Sequence, residues 1–126
     1  MEDKDREILV GENRLYLGED NILYATMVGT QDGKMVIALK EANDKLINTV
    51  EGRVNSLVDL SQAGKPSPEA RKVGRETLEN EKVGKVAFLG LHPVARVIAS
   101  FVMGVTRKKD MRVFKTKQEA LTWLRE

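Results

Sequence analysis

The 126-residue chain is expected to fold as one α/β domain over residues 1–126, a five-stranded mixed sheet with about four helices in the order β-β-α-β-α-β-α-β-α. Three observations predict this. Short runs rich in β-branched and aromatic residues alternate with segments whose apolar residues recur at i, i+3 and i+4. The length suits one domain and is enough to bury a core. Hydrophobic residues at 41% and charged residues at 32% place the chain among globular rather than disordered sequences.

Residues 1–12 read as a charged lead-in. Arg14–Leu17 then alternates polar and apolar residues, and Ile22–Val28 is rich in strand formers. "GEDN" between them carries turn chemistry, so the pair is expected to form a β-hairpin. Met35, Ala38, Leu39, Ala42 and Leu46 follow at helical spacing, with Thr30 or Asp32 able to cap the start. "VNSLVDLS" holds Val54, Leu57, Val58 and Leu60, a short apolar run of the buried-strand kind.

The next helix is predicted from "SPEARKVGRETLENEK", with Ala70, Val73, Thr77 and Leu78 as a narrow apolar stripe and Gly74 as a weak point. "KVAFLGL" is the most strand-like run in the chain. Pro93 to about Thr106 has the strongest helical periodicity, and "MRVF" is a further short strand. The last helix starts at Thr116, where Thr116 and Glu119 form a capping box and Ala120, Leu121, Trp123 and Leu124 supply the apolar side. Helices between successive strands imply parallel pairing, with the opening hairpin adding an antiparallel strand.

Composition excludes several chemistries. With no cysteine there are no disulfides, thiol nucleophiles or thiolate metal sites, and a single histidine excludes a multi-histidine centre. The acidic N-terminus lacks the order of a signal peptide, and no run approaches the roughly 18 apolar residues of a membrane span. A cytoplasmic location is expected. Residues 1–81 carry 11 Lys and Arg against 16 Asp and Glu, a net of −5, whereas residues 82–126 carry 10 against 3, a net of +7. The cations cluster in "TRKKDMRVFKTK", where Arg107–Lys109 complement a helix C-terminus. No aromatic residues interleave with them to stack bases, so nucleic acid is not an expected partner.

Candidate sites gather in two places. In the 93–106 helix, Val94, Val97, Ile98, Phe101, Val102 and Val105 make one apolar face, and Ala95, Ala99 and Met103 a second strip. The second strip calls for a cover: a neighbouring helix, a homodimer partner or a lipid chain. Asp59 and Ser61, Gly90 and His92 each follow a strand, at the edge where parallel sheets gather ligands. No G-x-S-x-G elbow surrounds Ser61, and no glycine-rich phosphate loop occurs, so no catalysis and no cofactor are expected. Ser67 reads as a helix cap, followed by Pro68 at the first helical position and Glu69 at the positive end of the dipole.

The whole pattern resembles the STAS fold and, within it, the SpoIIAA-like branch, over roughly Arg14 to Leu124. "VNSLVDLS" resembles the third strand of anti-sigma-factor antagonists, an apolar run ending in Asp-Leu-Ser. "KVAFLGLHPVARVIASFVMGV" and "MRVFKTKQEALTWL" resemble the SpoIIAA-like strand, long apolar helix and Glu-Ala-x-x-Trp-Leu ending. The resemblance implies a phosphoacceptor serine at the start of the helix after the third strand, within an Asp-Ser-Ser-Gly-like motif. Here "QAGKPSPEA" stands in its place. Ser61 matches the strand-end serine, and Ser67 occupies the topologically similar position. The plan is also similar to CRAL-TRIO lipid-transfer domains.

The resulting expectation is a non-catalytic binding or regulatory module acting as a homodimer or on another protein. One alternative is a carrier of a lipid or small apolar ligand against Ile98, Phe101, Val102 and Met103, with Asp59, Ser61 and His92 at the loop edge. The other is a phosphoswitch at Ser67 or Ser61.

Overall fold

The computed structural model describes residues 6–90 and 110–126. Its elements are β1 (Glu7–Val10), β2 (Asn13–Leu17), β3 (Leu23–Gly29), α1 (Gly33–Ile47), β4 (Val54–Ala63), α2 (Pro68–Leu78), β5 (Val83–Leu89), β6 (Met111–Phe114) and α3 (Lys117–Leu124). The helix expected over 93–106 lies outside the described residues.

The strands form one six-stranded sheet in the order β1-β2-β3-β4-β5-β6. β1, β2 and β3 pair antiparallel, whereas β3, β4, β5 and β6 pair parallel. The mixed α/β class is as the alternation of patterns implies, but the sheet has six strands, not five. The additional strand is β1, which falls inside the stretch read as a charged lead-in. Its run is only "EILV": Ile8 and Val10 pack against the core while Leu9 between them is 65% exposed, so apolar residues on both faces hide the alternation. It turns back through Gly11, whose φ of +61° is the left-handed conformation that a two-residue hairpin needs. Arg6 fastens its start, donating from Nε to the Leu17 carbonyl at 2.7 Å and from Nη2 to Asn21 Oδ1 at 3.2 Å.

The sheet is buried on both faces through its centre. On one face Leu15, Leu17 and Leu23 meet Leu39, Leu46 and Ile47 of α1. On the other, Ile22, Leu57 and Ala87 meet Ala120 and Leu124 of α3. Neighbours in β4 and β5 therefore point into different cores, which is why both strands read as near-continuous apolar runs. Three helix starts have side-chain caps: Asp32 accepts from Met35 N at 2.8 Å, Ser67 from Ala70 N at 3.1 Å and Thr116 from Glu119 N at 3.2 Å.

A polar pair is set into this hydrophobic frame. Asn13 on β2, 1% exposed, donates to Gln31 Oε1 at 2.9 Å and accepts from Gln31 Nε2 at 3.1 Å and from Val28 N at 2.7 Å. Gln31 also donates to the carbonyls of Val28 and Gly29. The pair ties β2 to the end of β3 and the entrance of α1, the corner on which the loop edge rests.

Candidate functional site

The parallel strands open toward one edge, and β4 reaches furthest there. Its pairing with β3 shifts between Thr26↔Asp59 and Val28↔Gln62, so β4 carries one extra residue. The bulge is closed from within. Asp59 Oδ1 accepts from Ser61 N at 2.9 Å and from Ser61 Oγ at 2.7 Å. The Asp-Leu-Ser run thus has a local job, an Asx-type clamp that turns the strand end and leaves Ser61 and Gln62 exposed. Asp59 pairs with Leu89, which brings the end of β5 and Gly90 alongside. Asp59 and Ser61 lie inside β4 and not after a strand as expected, because β4 runs on past the bulge to Ala63; Gly90 does follow β5, and His92 lies outside the described residues.

Beyond the bulge, the Gly64 amide donates to the Gly29 carbonyl at 2.8 Å, holding the loop to the end of β3. Lys65, Pro68 and Glu69 are exposed around half-buried Ser67, the cap of α2. Ser61 thus lies in β4 near its end and Ser67 in the loop as the cap of α2, and the two do different work. Among the described residues, no group of three or more His, Asp or Glu side chains could hold a metal ion. None of the described helices is long and apolar enough to cross a membrane. The ligand face expected at Ile98, Phe101, Val102 and Met103 lies outside the described residues.

Behind the loop, between α1, α2 and the sheet, is a cavity of about 150 Å³. Leu15, Ala25, Leu39, Leu60 and Phe88 form its apolar wall, and Ala63, Gly64, Pro66 and Ala70 connect it to the loop. Two polar residues of the buried layer, Gln31 and Asn43, also line it. Gln31 is satisfied by Asn13. Asn43 is 8% exposed and its Nδ2 has no hydrogen-bond partner. Sequence reading missed this site, although Asn43 falls in the stripe Val36, Leu39, Asn43, Leu46 at spacings of three and four.

The opposite face of the β1–β3 half is a shallow hollow with Tyr16 and Tyr24, ring centroids 6.3 Å apart. Arg14 stands 4.8 Å over Tyr16 and Lys117 stands 5.4 Å over Tyr24, so both rings already hold a cation. Nearby cations are engaged too: Arg125 donates to Asp20 at 3.0 Å, and Lys85 and Arg112 each lie 5.3 Å from the Trp123 ring centre.

Tyr24 donates its hydroxyl to Asp20 Oδ2 at 2.8 Å. Burial and this bond to a carboxylate push its pKa up to about 12. Burial alone would raise Asp20, but the bonds from Arg125, Tyr24 and the Ile22 amide outweigh it and hold Asp20 below its usual value. The raised phenol keeps its proton in the fold where the unfolded chain would lose it, so its contribution is whole below pH 10 and is lost as pH rises through 12. Subtracting the alkaline ultraviolet titration of Tyr24→Phe from that of the wild type should isolate a step near pH 12. A step at the ordinary phenol value would contradict the Asp20 bond.

A family model described as "Domain of unknown function (DUF7793)" matches residues 16–126. No curated protein matches the sequence. Among solved structures, an uncharacterized protein of the DUF3478 family from Shewanella loihica PV-4, described as having a SpoIIAA-like fold, superposes with a TM-score of 0.68 at 16% identity. The match covers 89% of this chain and 91% of that one. An anti-sigma factor antagonist from Mycobacterium paratuberculosis gives a TM-score of 0.65 at 18% identity, over 90% and 93% of the two chains. The anti-sigma factor antagonist SpoIIAA in its unphosphorylated form gives 0.61 at 17%, over 90% and 97%. At such identities the likeness is one of fold, and the fold is SpoIIAA-like, as the sequence motifs imply.

Proposed function

This chain belongs to the DUF7793 family, and from that premise we propose that it is a non-catalytic regulatory module acting through protein–protein contacts at the β4–α2 loop. One observation carries the reading. Across the end of β4, the connecting loop and the start of α2, the exposed residues Ser61, Gln62, Lys65, Pro68 and Glu69 sit on backbone held by the Asp59 clamp, the Gly64–Gly29 bond and the Ser67 cap, in a fold shared with proteins named as anti-sigma factor antagonists. Lys65 and Glu69 give this surface charges of both signs, suited to a transient polar interface.

The test begins with affinity capture from the native host, followed by titration of the purified partner against wild type and a Lys65→Glu/Glu69→Lys double variant. A loss of about tenfold or more in affinity is expected for the variant. A purified complex indifferent to both substitutions would place the interface elsewhere. A second copy of the chain is also a candidate partner, suggested by the second apolar strip in the 93–106 segment. A monomer at every concentration in sedimentation velocity would remove that candidate.

A second reading, a phosphoswitch at Ser67, is favoured by one feature. Ser67 is half-buried at the N-terminus of an eleven-residue helix, and one solved neighbour is described in an unphosphorylated form. A phosphate there would meet the positive end of the helix dipole. Ser67→Ala should cost about 1 kcal/mol as a lost cap, whatever the regulation. Ser67→Asp retains a cap and adds charge, so it should weaken partner binding while leaving the thermal midpoint nearly unchanged. Absence of a Ser67 phosphopeptide from host material, with wild-type binding by Ser67→Asp, would end this reading.

A further inference from the structure

We propose that the cavity between α1, α2 and the sheet is a binding site for a small, compact apolar molecule bearing one acceptor oxygen, a carbonyl or a carboxylate. Three independent features converge there. The first is space: about 150 Å³ matches an engineered cavity that holds benzene. This is a different place and a smaller ligand from the long-helix carrier considered from the sequence.

The second feature is an unmet donor. A buried amide nitrogen without an acceptor is costly, and native interiors nearly always supply one. Asn43 Nδ2 has none, and Asn43 lines the cavity. A bound oxygen would supply the missing partner and fix the ligand's orientation, as a few polar groups do in an otherwise apolar pocket. Lys40, which is ion-paired with Asp44 at 3.2 Å, and Arg71 also line the wall, so it is Asn43 that requires an acceptor.

The third feature is Gly74. It lies inside α2, where glycine is disfavoured relative to alanine, and it lines the cavity. A Cβ built there meets nothing within 4 Å. A side chain at this position therefore has room, and Gly74→Leu tests whether it reaches the cavity that Gly74 lines.

Occupancy also has a structural route outward. Ala63, Gly64, Pro66 and Ala70 border both the cavity and the loop that carries Ser67. A ligand resting against them would stiffen the surface proposed above as the protein contact, but the binding site stands whether or not that contact exists.

The test is amide-detected NMR titration of the full chain with three probes of similar size: toluene, acetophenone and benzoate. Saturable shifts are expected at Leu39, Asn43, Ala70 and Gly74. Acetophenone or benzoate should bind roughly five times more tightly than toluene, the worth of one buried hydrogen bond. Asn43→Leu should erase that preference while keeping toluene binding. Gly74→Leu should fill the space and abolish binding of all three, with Gly74→Ala as the folded control. Equal affinity for the three probes in the wild type, or saturable shifts confined to other residues, would overturn the proposal. So would no saturable shift at millimolar probe. If Gly74→Leu fails to fold, the Asn43→Leu comparison decides alone.

Discussion

Truncating Asn13 to alanine should remove about 2–4 kcal/mol of stability, a large share of the 5–15 kcal/mol typical of such a domain. The loss is not one of apolar contact. Asn13 Oδ1 accepts from Val28 N and Gln31 Nε2, and Nδ2 donates to Gln31 Oε1; the two bonds to Gln31 are buried and the one from Val28 is half-buried. Alanine leaves the Val28 amide and the Gln31 carbonyl without these partners, and each orphaned buried group costs about 1–3 kcal/mol. Gln31 Nε2 keeps the carbonyls of Val28 and Gly29, which limits the damage to the lower half of the simple sum. Urea denaturation of Asn13→Ala, Gln31→Leu and the double variant separates the terms. Asn13→Ala alone should be worse than its excess in the Gln31→Leu background, because removing both partners leaves less to satisfy. A loss below 1 kcal/mol for Asn13→Ala would mean that water takes its place.

That staple also shows where sequence reading stops. Asn13 stands at the start of a strand and Gln31 in a loop, and no spacing rule connects positions eighteen apart across a hairpin and a helix entrance. The local signals, by contrast, were legible because they are satisfied within a few residues. Ser67, Thr116 and one of the two cap candidates before α1 bond the amides that their positions imply. β4 and β5 were legible because burial on both faces leaves an apolar run.

β1 was not legible, since the outward Leu9 is as apolar as the core-facing Ile8 and Val10 and the four residues sit among acids. The site divides in the same way. Ser67 was visible as a helix cap, whereas Asp59 and Ser61 read as following a strand that in fact runs on to Ala63. The clamp between Asp59 and Ser61 depends on a bulge, which depends on the register against β3 and not on the sequence of β4 alone. The cavity was invisible for a related reason: an empty volume is set by how far α1 and α2 stand from the sheet, and Gly74 read only as a weak point in a helix.

Leu46→Ala and Leu39→Ala should differ, although both delete the same atoms from the same face of α1. Leu46 is fully buried, at 0% exposure, and does not line the cavity. Its removal forfeits transfer energy and a full set of dispersion contacts, and leaves a new void, for about 3–5 kcal/mol. Leu39 is nearly as buried but already borders empty space, so its side chain lacks partner atoms on that side. Its loss should sit nearer the lower end of the Leu→Ala range, about 2–3 kcal/mol. Chemical unfolding followed by Trp123 fluorescence measures both on the ligand-free protein. Equal losses would mean that the space beside Leu39 is filled in solution. The expected inequality has a functional corollary. Leu39→Ala enlarges a cavity that stays lined by Asn43, so it should admit an acceptor-bearing probe one ring substituent larger than acetophenone, whereas Leu46→Ala should leave the size limit where it is.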